Sequence, residues 1–313
     1  MPHDAAASLS FDTFVPPATV NRRSALEVFV TDHTQVGPET YAVAVRVEPG
    51  HPLWSDRTAP AHDPVAIIEA FRQAFVVVRH GYLDVRRGTP SAVQHLTLAV
   101  PEPDAFRADG AAPLQGVVTV RVTRSEAAYD IAGTFAVDGV PAMTLSFDSV
   151  LFPRESYREI RAYQRTRRFT DAAGRPAAVP DKPFEPGAVG RRDPANVVIA
   201  PAPADRPGRF PLLVDRTHPS FFDRDYDHIP ASLLIEGMRQ AALHTAAEAG
   251  LRTGEALLTG AELDFGIFVE IDVPAECVVS VTGRTGPEIA ANVAIDQGGV
   301  RVASGTLRLT EPR

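Results

Sequence analysis

Apolar residues recur around most of the circumference of two stretches of the chain, a pattern typical of helices that are buried on nearly every side. One stretch follows Pro230 and ends before Gly250, residues that suit the first position and the stop of a helix. The other stretch follows Pro64 in the same way. The sequence therefore predicts one long buried helix in each half of the chain.

Runs rich in valine and aromatic residues surround these helices and predict β-strands. In the first half they are 25–32, 40–47, 94–100, 116–123, 129–139 and 141–152, with turns predicted at Gly37-Pro38 and Asp138-Gly139. In the second half, 190–200 repeats the pattern of 21–30, and further strand-like runs follow the helix. Each half is thus predicted to combine a long helix with an antiparallel sheet of about five or six strands, an α+β fold class.

A charged trio repeats on both predicted helices, a glutamate followed by an arginine and a glutamine at i+3 and i+4, so that each trio shares one helix face. The trios are Glu69, Arg72 and Gln73 on the first helix and Glu236, Arg239 and Gln240 on the second. A His-Pro pair, beginning at His51 or at His218, precedes each glutamate by 18 residues. Charges on a buried helix must be paired or put to use, so the trios are the first candidates for a functional site.

The repeat sets the predicted domain organisation: a flexible lead-in at 1–20, an N-terminal repeat at 21–152, a connecting segment at 153–189 and a C-terminal repeat at 190–313. The connecting segment begins with a predicted helix whose arginines, at positions 154, 158, 161 and 165, form one basic stripe. A Pro/Gly-rich linker follows. Two interpretations of the stripe are open: a solvated helix lying across the sheets, or a docking site for an acidic partner such as an acyl carrier protein.

Composition narrows the function classes. The net charge of −8 gives no support to a nucleic-acid role, and no basic segment is dense enough for a membrane patch. The single cysteine, Cys277, lies in a strand-like run and can build neither a disulfide nor a zinc cluster, and we predict no metal site or cofactor. The sequence has no leader pattern and no run of about 18 apolar residues. We therefore expect a cytoplasmic protein with small-molecule partners.

The His-Pro loop, the proline that opens the helix and the glutamate followed by Gln-Ala resemble the hydroxyacyl carrier protein dehydratases of the hotdog superfamily. In that group the loop histidine and the helix acid perform acid-base chemistry. Two features differ here: the interval from histidine to glutamate is longer, and Arg239 stands where those enzymes carry a small apolar residue.

The Glu-x-x-Arg-Gln-Ala motif in both halves, the paired His-Pro loops, the Arg-Arg pairs at 22–23 and 191–192 and the run DHIPASLLIEGMRQAA together resemble the A-factor biosynthesis hotdog family over about residues 20–310. The resemblance implies a tandem hotdog fold, in which each half is a long central helix wrapped by an antiparallel sheet and one chain supplies an internal pseudo-dimer. It also implies transfer of a β-ketoacyl group from acyl carrier protein to the hydroxyl of dihydroxyacetone phosphate. The product would be a precursor of a γ-butyrolactone, butenolide or furan signalling molecule.

Residues of the second helix suit this reaction, which needs a base, donors for the thioester oxyanion and a cation for the phosphate. Glu236 is the candidate base, because burial tends to raise the pKa of a carboxylate. Backbone N–H groups near Ala231 and Ser232, at the helix start, are the candidate oxyanion donors. Arg239 is the candidate phosphate ligand, and Gln240 is expected to contact substrate.

Glu69, Arg72 and Gln73 form the pseudo-equivalent site of the first half, and whether one or both sites work stays open. The alternative for each trio is a buried ion pair between glutamate and arginine, with the glutamine joining two helices. Four histidines flank the loops into the helices: His51, His62, His218 and His228. Each either polarises the thioester or orients the acceptor, or holds its loop through hydrogen bonds.

Three functions remain in competition. The first is the acyltransferase just described, and the second is a hotdog dehydratase or thioesterase that acts on carrier-bound acyl chains without a phosphate acceptor. The third is a non-catalytic protein that binds acyl chains.

Overall fold

The structure, a computed structural model, describes residues 8–108, 111–126, 128–168 and 182–311. The chain divides into two compact units: unit 1 is Met1–Ser55 with Pro60–Phe152, and unit 2 is Asp56–Ala59 with Pro153–Arg313. The start of the predicted lead-in, at 1–7, and the middle of the predicted linker, at 169–181, lie outside the described residues.

Unit 1 contains one long helix and a six-stranded antiparallel sheet within the described ranges. The elements are β1 (Val30–Gly37), β2 (Thr40–Val47), α1 (Pro64–Gly81), β3 (Ser91–Ala99), β4 (Leu114–Arg124), β5 (Ala128–Val137) and β6 (Val140–Leu151). The strand order in the sheet is β1-β2-β4-β5-β6-β3. Asp138 and Gly139 both have positive φ, 49° and 80°, which is the geometry of the predicted hairpin turn between β5 and β6.

The core of unit 1 lies between α1 and the sheet. Ile67, Phe71 and Ala74 of α1 are fully buried. Gly133 of β5 lets the helix approach the sheet, because a Cβ at that position would lie 2.9 Å from Phe71 Cε1 and 2.4 Å from the backbone oxygen of Thr119. The absence of a side chain at Gly133 therefore permits the helix to pack directly on the strand.

Unit 2 repeats this order. Its elements are α2 (Arg154–Arg168), β7 (Arg209–Pro211), α3 (Ala231–Glu248), β8 (Leu257–Phe265), β9 (Ala275–Thr285), β10 (Glu288–Gln297) and β11 (Val300–Thr310). The strand order is β8-β11-β10-β9-β7, with antiparallel pairing throughout. Taken strand for strand, it matches β3-β6-β5-β4-β2 of unit 1, so α3 is the counterpart of α1.

Three sequence predictions are wrong in detail. The first strand begins at Val30 and not at residue 25, because the Ser24 hydroxyl accepts from Leu26 N at 3.2 Å and starts a 3-10 turn at Ala25–Glu27. The corresponding segment of unit 2 forms another 3-10 turn, and only Ile199 makes a β-bridge there, to Leu212. Pro230 is the N-cap of α3, not its first residue.

The predicted basic helix is present as α2, but one arginine of its stripe, Arg161, is buried. Arg161 is buried and bonds both carboxylate oxygens of Glu270, at 2.6 and 2.8 Å. Arg165 bonds Glu270 at 2.6 Å and Asp272 at 2.5 Å. Arg161 is therefore a packing residue of unit 2 and not part of a surface for an acidic partner, whereas Arg158 is exposed.

The described residues also bear on membranes and metals. No helix among them is long and apolar enough to cross a membrane. They contain no group of three or more histidine, cysteine or acidic residues placed to hold a metal ion. Cys277 is fully buried in β9, and burial raises the pKa of its thiol far above the ordinary range.

Candidate active site

The carboxylate of Glu236 on α3 lies at the centre of a buried charge network. Its Oε1 accepts from Arg191 Nε at 2.9 Å, from Arg239 Nη2 at 2.7 Å and from Gln240 Nε2 at 2.5 Å. Arg239 Nε also donates to Oε2, at 2.9 Å. All four residues are fully buried, so the network is a closed set of charge-assisted hydrogen bonds between the helix and the segment at 191.

Unit 1 contains the same network around Glu69 on α1. Arg22 Nη2 lies 2.8 Å from Oε1, and Gln73 Nε2 donates to the same oxygen at 2.7 Å. Arg72 donates from Nε to Oε2 and from Nη2 to Oε1, both at 2.7 Å. The two networks differ in exposure, because the Arg72 side chain is 29% exposed whereas that of Arg239 is 1% exposed.

The glutamines tie each helix to its own unit. Gln240 accepts from Val198 N at 2.9 Å and donates to the Asn196 carbonyl at 2.7 Å. Gln73 makes the corresponding bonds, accepting from Phe29 N at 2.9 Å and donating to the Glu27 carbonyl at 2.7 Å. The sequence-based alternative, in which the glutamine joins two helices, is therefore wrong: it joins a helix to the 3-10 turn that precedes its sheet.

The electrostatics around Glu69 lower the pKa of that buried carboxylate. Burial alone would raise the pKa of Glu69, but the charges of Arg22 and Arg72 and hydrogen bonds from Arg72 and Gln73 outweigh it and hold the pKa well below its ordinary value. Glu236 has the same types of partner, two guanidinium groups and an amide.

His218 holds the loop that leads toward α3. Its Nδ1 accepts from Ser220 N at 3.3 Å and from Phe221 N at 3.4 Å, and its Nε2 lies 3.0 Å from Asn196 Oδ1. Because Nδ1 accepts, the hydrogen of the neutral ring is on Nε2 and is donated to Asn196. His218 is 7% exposed, so it is a buried loop residue connected to Gln240 through Asn196.

His51 plays the same part in unit 1. Its Nδ1 accepts from Leu53 N at 3.2 Å and from Trp54 N at 3.1 Å, and its Nε2 lies 3.3 Å from Glu27 Oε1. The ring is 6% exposed. The two His-Pro loops are therefore built alike, each by a histidine that caps its own loop.

The second histidine of each unit has different surroundings. His228 is 22% exposed, and its Nδ1 lies 2.7 Å from Asp227 Oδ1. His62 is half-buried, its backbone N–H donates to the Phe106 carbonyl at 2.7 Å, and burial lowers its pKa. Only the unit 2 histidine is thus held by a neighbouring carboxylate.

The two helices also begin differently. Asp63 caps α1, its carboxylate accepting from Val65 N at 3.0 Å. The N-cap of α3 is Pro230, which has no side-chain hydrogen bond to the helix. Ala231 and Ser232, half-buried, occupy the first two positions of α3, where a backbone N–H has no partner within the helix. The first turn of α3 therefore lacks the side-chain cap that α1 has.

Comparison with known proteins agrees with this duplicated architecture. The family model for the A-factor biosynthesis hotdog domain matches the chain twice, over residues 3–149 and 173–311. The chain belongs to the A-factor biosynthesis hotdog domain family. Its fold is accordingly a tandem hotdog, with one domain match in each half of the chain.

Two relatives carry the same name, 2-oxo-3-(phosphooxy)propyl 3-oxoalkanoate synthase. The one from Streptomyces coelicolor is 29% identical over 294 residues, 87% of this chain and 83% of the relative. The one from Streptomyces griseus is 28% identical over 256 residues, 76% of this chain and 77% of the relative. Among solved structures, the dehydratase domain from the CurJ module of curacin polyketide synthase aligns with a TM-score of 0.52 at 11% identity, over 91% of this chain and 96% of that domain. That likeness concerns the fold alone.

In this A-factor biosynthesis hotdog chain, the residues predicted as one site are distributed over several separate groups. Each helix trio forms its own charge network, in unit 1 and in unit 2. His218 and His51 belong to loop contacts beside those networks, whereas His228 belongs to a cluster with Asp227 and Tyr157. The N–H groups of Ala231 and Ser232 lie at the start of α3 and outside both sets.

Sequence reasoning missed several residues of these groups. It assigned no role to Arg22 and Arg191, although both stand in the duplicated Arg-Arg pairs and each supplies the second cation of its network. It also missed Asp227 and Tyr157. The duplicated arginine pairs are a signal that points to Arg22 and Arg191. A positive charge that recurs in both halves together with the helix glutamate is a candidate partner for that glutamate.

Proposed function

We propose that this protein is an acyltransferase that moves a β-ketoacyl group from acyl carrier protein to the hydroxyl of dihydroxyacetone phosphate. Membership of the A-factor biosynthesis hotdog domain family carries the proposal. The name shared by its relatives, 2-oxo-3-(phosphooxy)propyl 3-oxoalkanoate synthase, describes an ester of a 3-oxo acid with an alcohol that bears a ketone and a phosphate. An ester of that kind is a precursor for a butenolide or a γ-butyrolactone.

The acceptor phosphate would be recognised by the helix arginines. A guanidinium binds phosphate through its planar fork, and each trio contains one. Arg72 is the more accessible of the two, with 29% of its side chain exposed. Arg239 is enclosed, so binding phosphate through it would require exchanging part of its contact with Glu236 for the ligand.

The helix glutamates suit a role as counter-ions better than the role of a free base. An ionised carboxylate between two guanidinium groups accepts a proton weakly, as the lowered pKa of Glu69 shows. We therefore propose that Glu69 and Glu236 hold Arg72 and Arg239 in place for the acceptor, and that Gln73 and Gln240 hold the glutamates. Glu236→Gln and Arg239→Ala should each lower acyl transfer, and full retention of the rate in both would refute this assignment.

The thioester oxygen would bind at the start of α3. The N–H groups of Ala231 and Ser232 belong to an 18-residue helix without a side-chain cap, and the helix dipole favours negative charge there. Pro230→Asp would place at α3 the carboxylate that Asp63 supplies to α1. It should lower kcat about tenfold or more, because the new carboxylate competes with the oxyanion for these donors. Pro230→Ala, which adds no cap, is the matched control.

One incubation separates this function from its competitors. The purified protein is mixed with β-ketoacyl carrier protein, with and without dihydroxyacetone phosphate, and the products are followed by mass spectrometry. An ester or butenolide phosphate that forms only with the acceptor is the expected result. Free acid or enoyl product without the acceptor would replace the proposal with a thioesterase or dehydratase, and an unchanged bound acyl chain would indicate a binding protein.

A further inference from the structure

A second polar cluster lies outside the charge networks, where α2 packs on the loop leading into α3. Its members are Tyr157 and Arg161 of α2, Asp227 and His228 of the loop, and Glu270. Arg161 anchors the cluster: it bonds both oxygens of the fully buried Glu270, and it donates from Nη2 to the Asp227 carbonyl at 2.7 Å and from Nε to Asp227 Oδ2 at 3.3 Å. The position of Asp227 is therefore fixed from two directions.

Asp227 in turn orients the imidazole of His228. The Tyr157 hydroxyl lies 2.8 Å from Asp227 Oδ1 and 3.0 Å from Oδ2, and His228 Nδ1 lies 2.7 Å from Oδ1. Burial alone would raise the pKa of Asp227, but hydrogen bonds from His228 and Tyr157 and the charges of His228 and Arg161 outweigh it and hold the pKa well below its ordinary value. An ionised carboxylate only accepts hydrogen bonds, so Nδ1 of His228 carries a hydrogen.

This arrangement leaves Nε2 of His228 as the basic nitrogen. Among the described residues, Nε2 has no hydrogen-bond partner, and the side chain is 22% exposed. Phe268 and Tyr226 lie against the ring, with centroids 4.8 and 6.2 Å from that of the imidazole. An imidazole with a carboxylate on one nitrogen and no hydrogen-bond partner on the other is the arrangement required of a general base.

The other candidate histidines lack one or both of these properties. His218 and His51 accept at Nδ1 from backbone N–H groups, so their hydrogens are on Nε2, and both are nearly fully buried. His62 is followed by Asp63, whose carboxylate caps α1 by accepting from Val65 N at 3.0 Å, and no contact between that carboxylate and the His62 ring is found among the described residues. The orienting aspartate is thus specific to the loop of unit 2.

His228 also stands next to the proposed oxyanion donors in sequence. Ala231, the first residue of α3, follows it by three positions, and Ile229 between them donates its N–H to Val269, beside Glu270. On the basis of the proposed acyl transfer, we propose that His228 is the general base for the acceptor hydroxyl, and that Asp227 and Tyr157 are residues that position it. The helix between the two halves of the chain would thereby take part in building the site.

The chemical step balances without a cofactor. His228 Nε2 takes the proton of the acceptor hydroxyl while the oxygen of that hydroxyl attacks the thioester carbonyl carbon. The carbonyl oxygen becomes an oxyanion, which is held at the start of α3. The tetrahedral intermediate then collapses, the C–S bond breaks and the new C–O ester bond remains. The proton on Nε2 passes to the carrier thiolate, which restores neutral His228.

Three substitutions and two controls test the proposal in the full-length protein. His228→Ala should lower kcat by a factor on the order of 10²–10⁴, with KM for dihydroxyacetone phosphate changed less than about threefold, and added imidazole should restore part of the rate. Asp227→Asn should lower kcat by a similar factor, because the amide donates to Nδ1 and moves the ring hydrogen to Nε2. Tyr157→Phe should lower kcat about tenfold. His95→Ala, on an exposed strand position, and Tyr163→Phe, on the exposed face of α2, should leave kcat unchanged.

A structural role for the cluster predicts a different result. It would lower the melting temperature of the variants, leave kcat of the folded fraction within about threefold of the wild type and give no rescue by imidazole. That result would overturn the proposal, and His228→Gln replaces His228→Ala if the latter fails to fold.

Nitrogen-15 NMR of the histidines gives a readout that does not depend on turnover. His228 should show the Nδ1-protonated neutral tautomer in the wild type and lose it in Asp227→Asn, and an Nε2-protonated ring in the wild type would refute the orientation. If the wild-type protein forms no acceptor-dependent ester, the acyltransferase function itself fails. If the wild type forms the ester and His228→Ala keeps its rate, only the assignment of the base fails.

Discussion

Replacing Arg191 with methionine tests whether the buried network of unit 2 holds the fold together. Arg191 and Glu236 are fully buried and meet at 2.9 Å, and Arg191 also donates from Nη1 to the Asp56 carbonyl at 2.8 Å. Removing one partner of a buried ion pair typically costs 3–5 kcal/mol, since the other charge stays buried. Because Arg239 and Gln240 still contact Glu236, we expect the low end of that range, about 3 kcal/mol. Total stabilities are only about 5–15 kcal/mol, so the effect is easily measured.

The double variant Arg191→Met with Glu236→Gln isolates the interaction. It removes the charges of both Arg191 and Glu236, so its loss of stability should be smaller than the sum of the two single losses by about 1–3 kcal/mol. Urea unfolding followed by far-UV circular dichroism gives the free energies, and hydrogen exchange of the α3 amides locates the loss in unit 2. A loss below about 1 kcal/mol in Arg191→Met, or strict additivity in the double variant, would refute the reasoning.

Three further predictions concern unit 1. The folded-state pKa of Glu69 lies well below its ordinary 4.5, so the pairing of Glu69 stabilises the fold at pH above about 4.5, and this contribution is lost as the pH falls toward the folded-state pKa. Glu69→Gln should therefore make the stability depend less on pH in acid. The fluorescence of Trp54, the single tryptophan, follows the unfolding. Gly133→Ala should lower the free energy of unfolding in urea by about 1–3 kcal/mol, because the new Cβ would lie 2.4 Å from a backbone oxygen of the neighbouring strand. Gly283→Ala is the control and should leave the free energy of unfolding nearly unchanged, because no atom lies within 4 Å of a Cβ built there. Asp63→Ala should cost about 1 kcal/mol in the same assay and Asp63→Asn much less, and equal losses would contradict the capping role.

The features that the sequence predicted correctly are those encoded by local spacing. The 3.6-residue period of apolar positions predicted both central helices, and the i, i+3 and i+4 spacing predicted that each trio shares one helix face. Those relations are fixed by helix geometry once a helix forms. The glutamate, arginine and glutamine therefore meet in the structure as expected.

The partners that complete each network depend on contacts far along the chain. Arg22 lies 47 residues from Glu69, and Arg191 lies 45 residues from Glu236. No periodicity connects such positions, so the helix face alone indicated a single ion pair and a carboxylate whose pKa burial would raise. With a second guanidinium in place, the pKa of Glu69 is lowered instead. The direction of the Glu69 shift is therefore set by the charges and hydrogen bonds of its partners, which outweigh its burial.

The two copies agree in their buried charges and differ where their helices begin. The networks around Glu69 and Glu236 contain the same residue types, which fits a structural requirement that both units share, because each must fix a helix against its sheet. A side-chain N-cap such as Asp63 in α1 stabilises a helix by about 1 kcal/mol. The N-cap residue of α3 is Pro230, which makes no such bond. The half without the cap is also the half in which Asp227 orients a histidine three residues before the helix. The missing side-chain cap and the oriented histidine lie in the same short segment and therefore favour unit 2 as the half in which acyl transfer occurs.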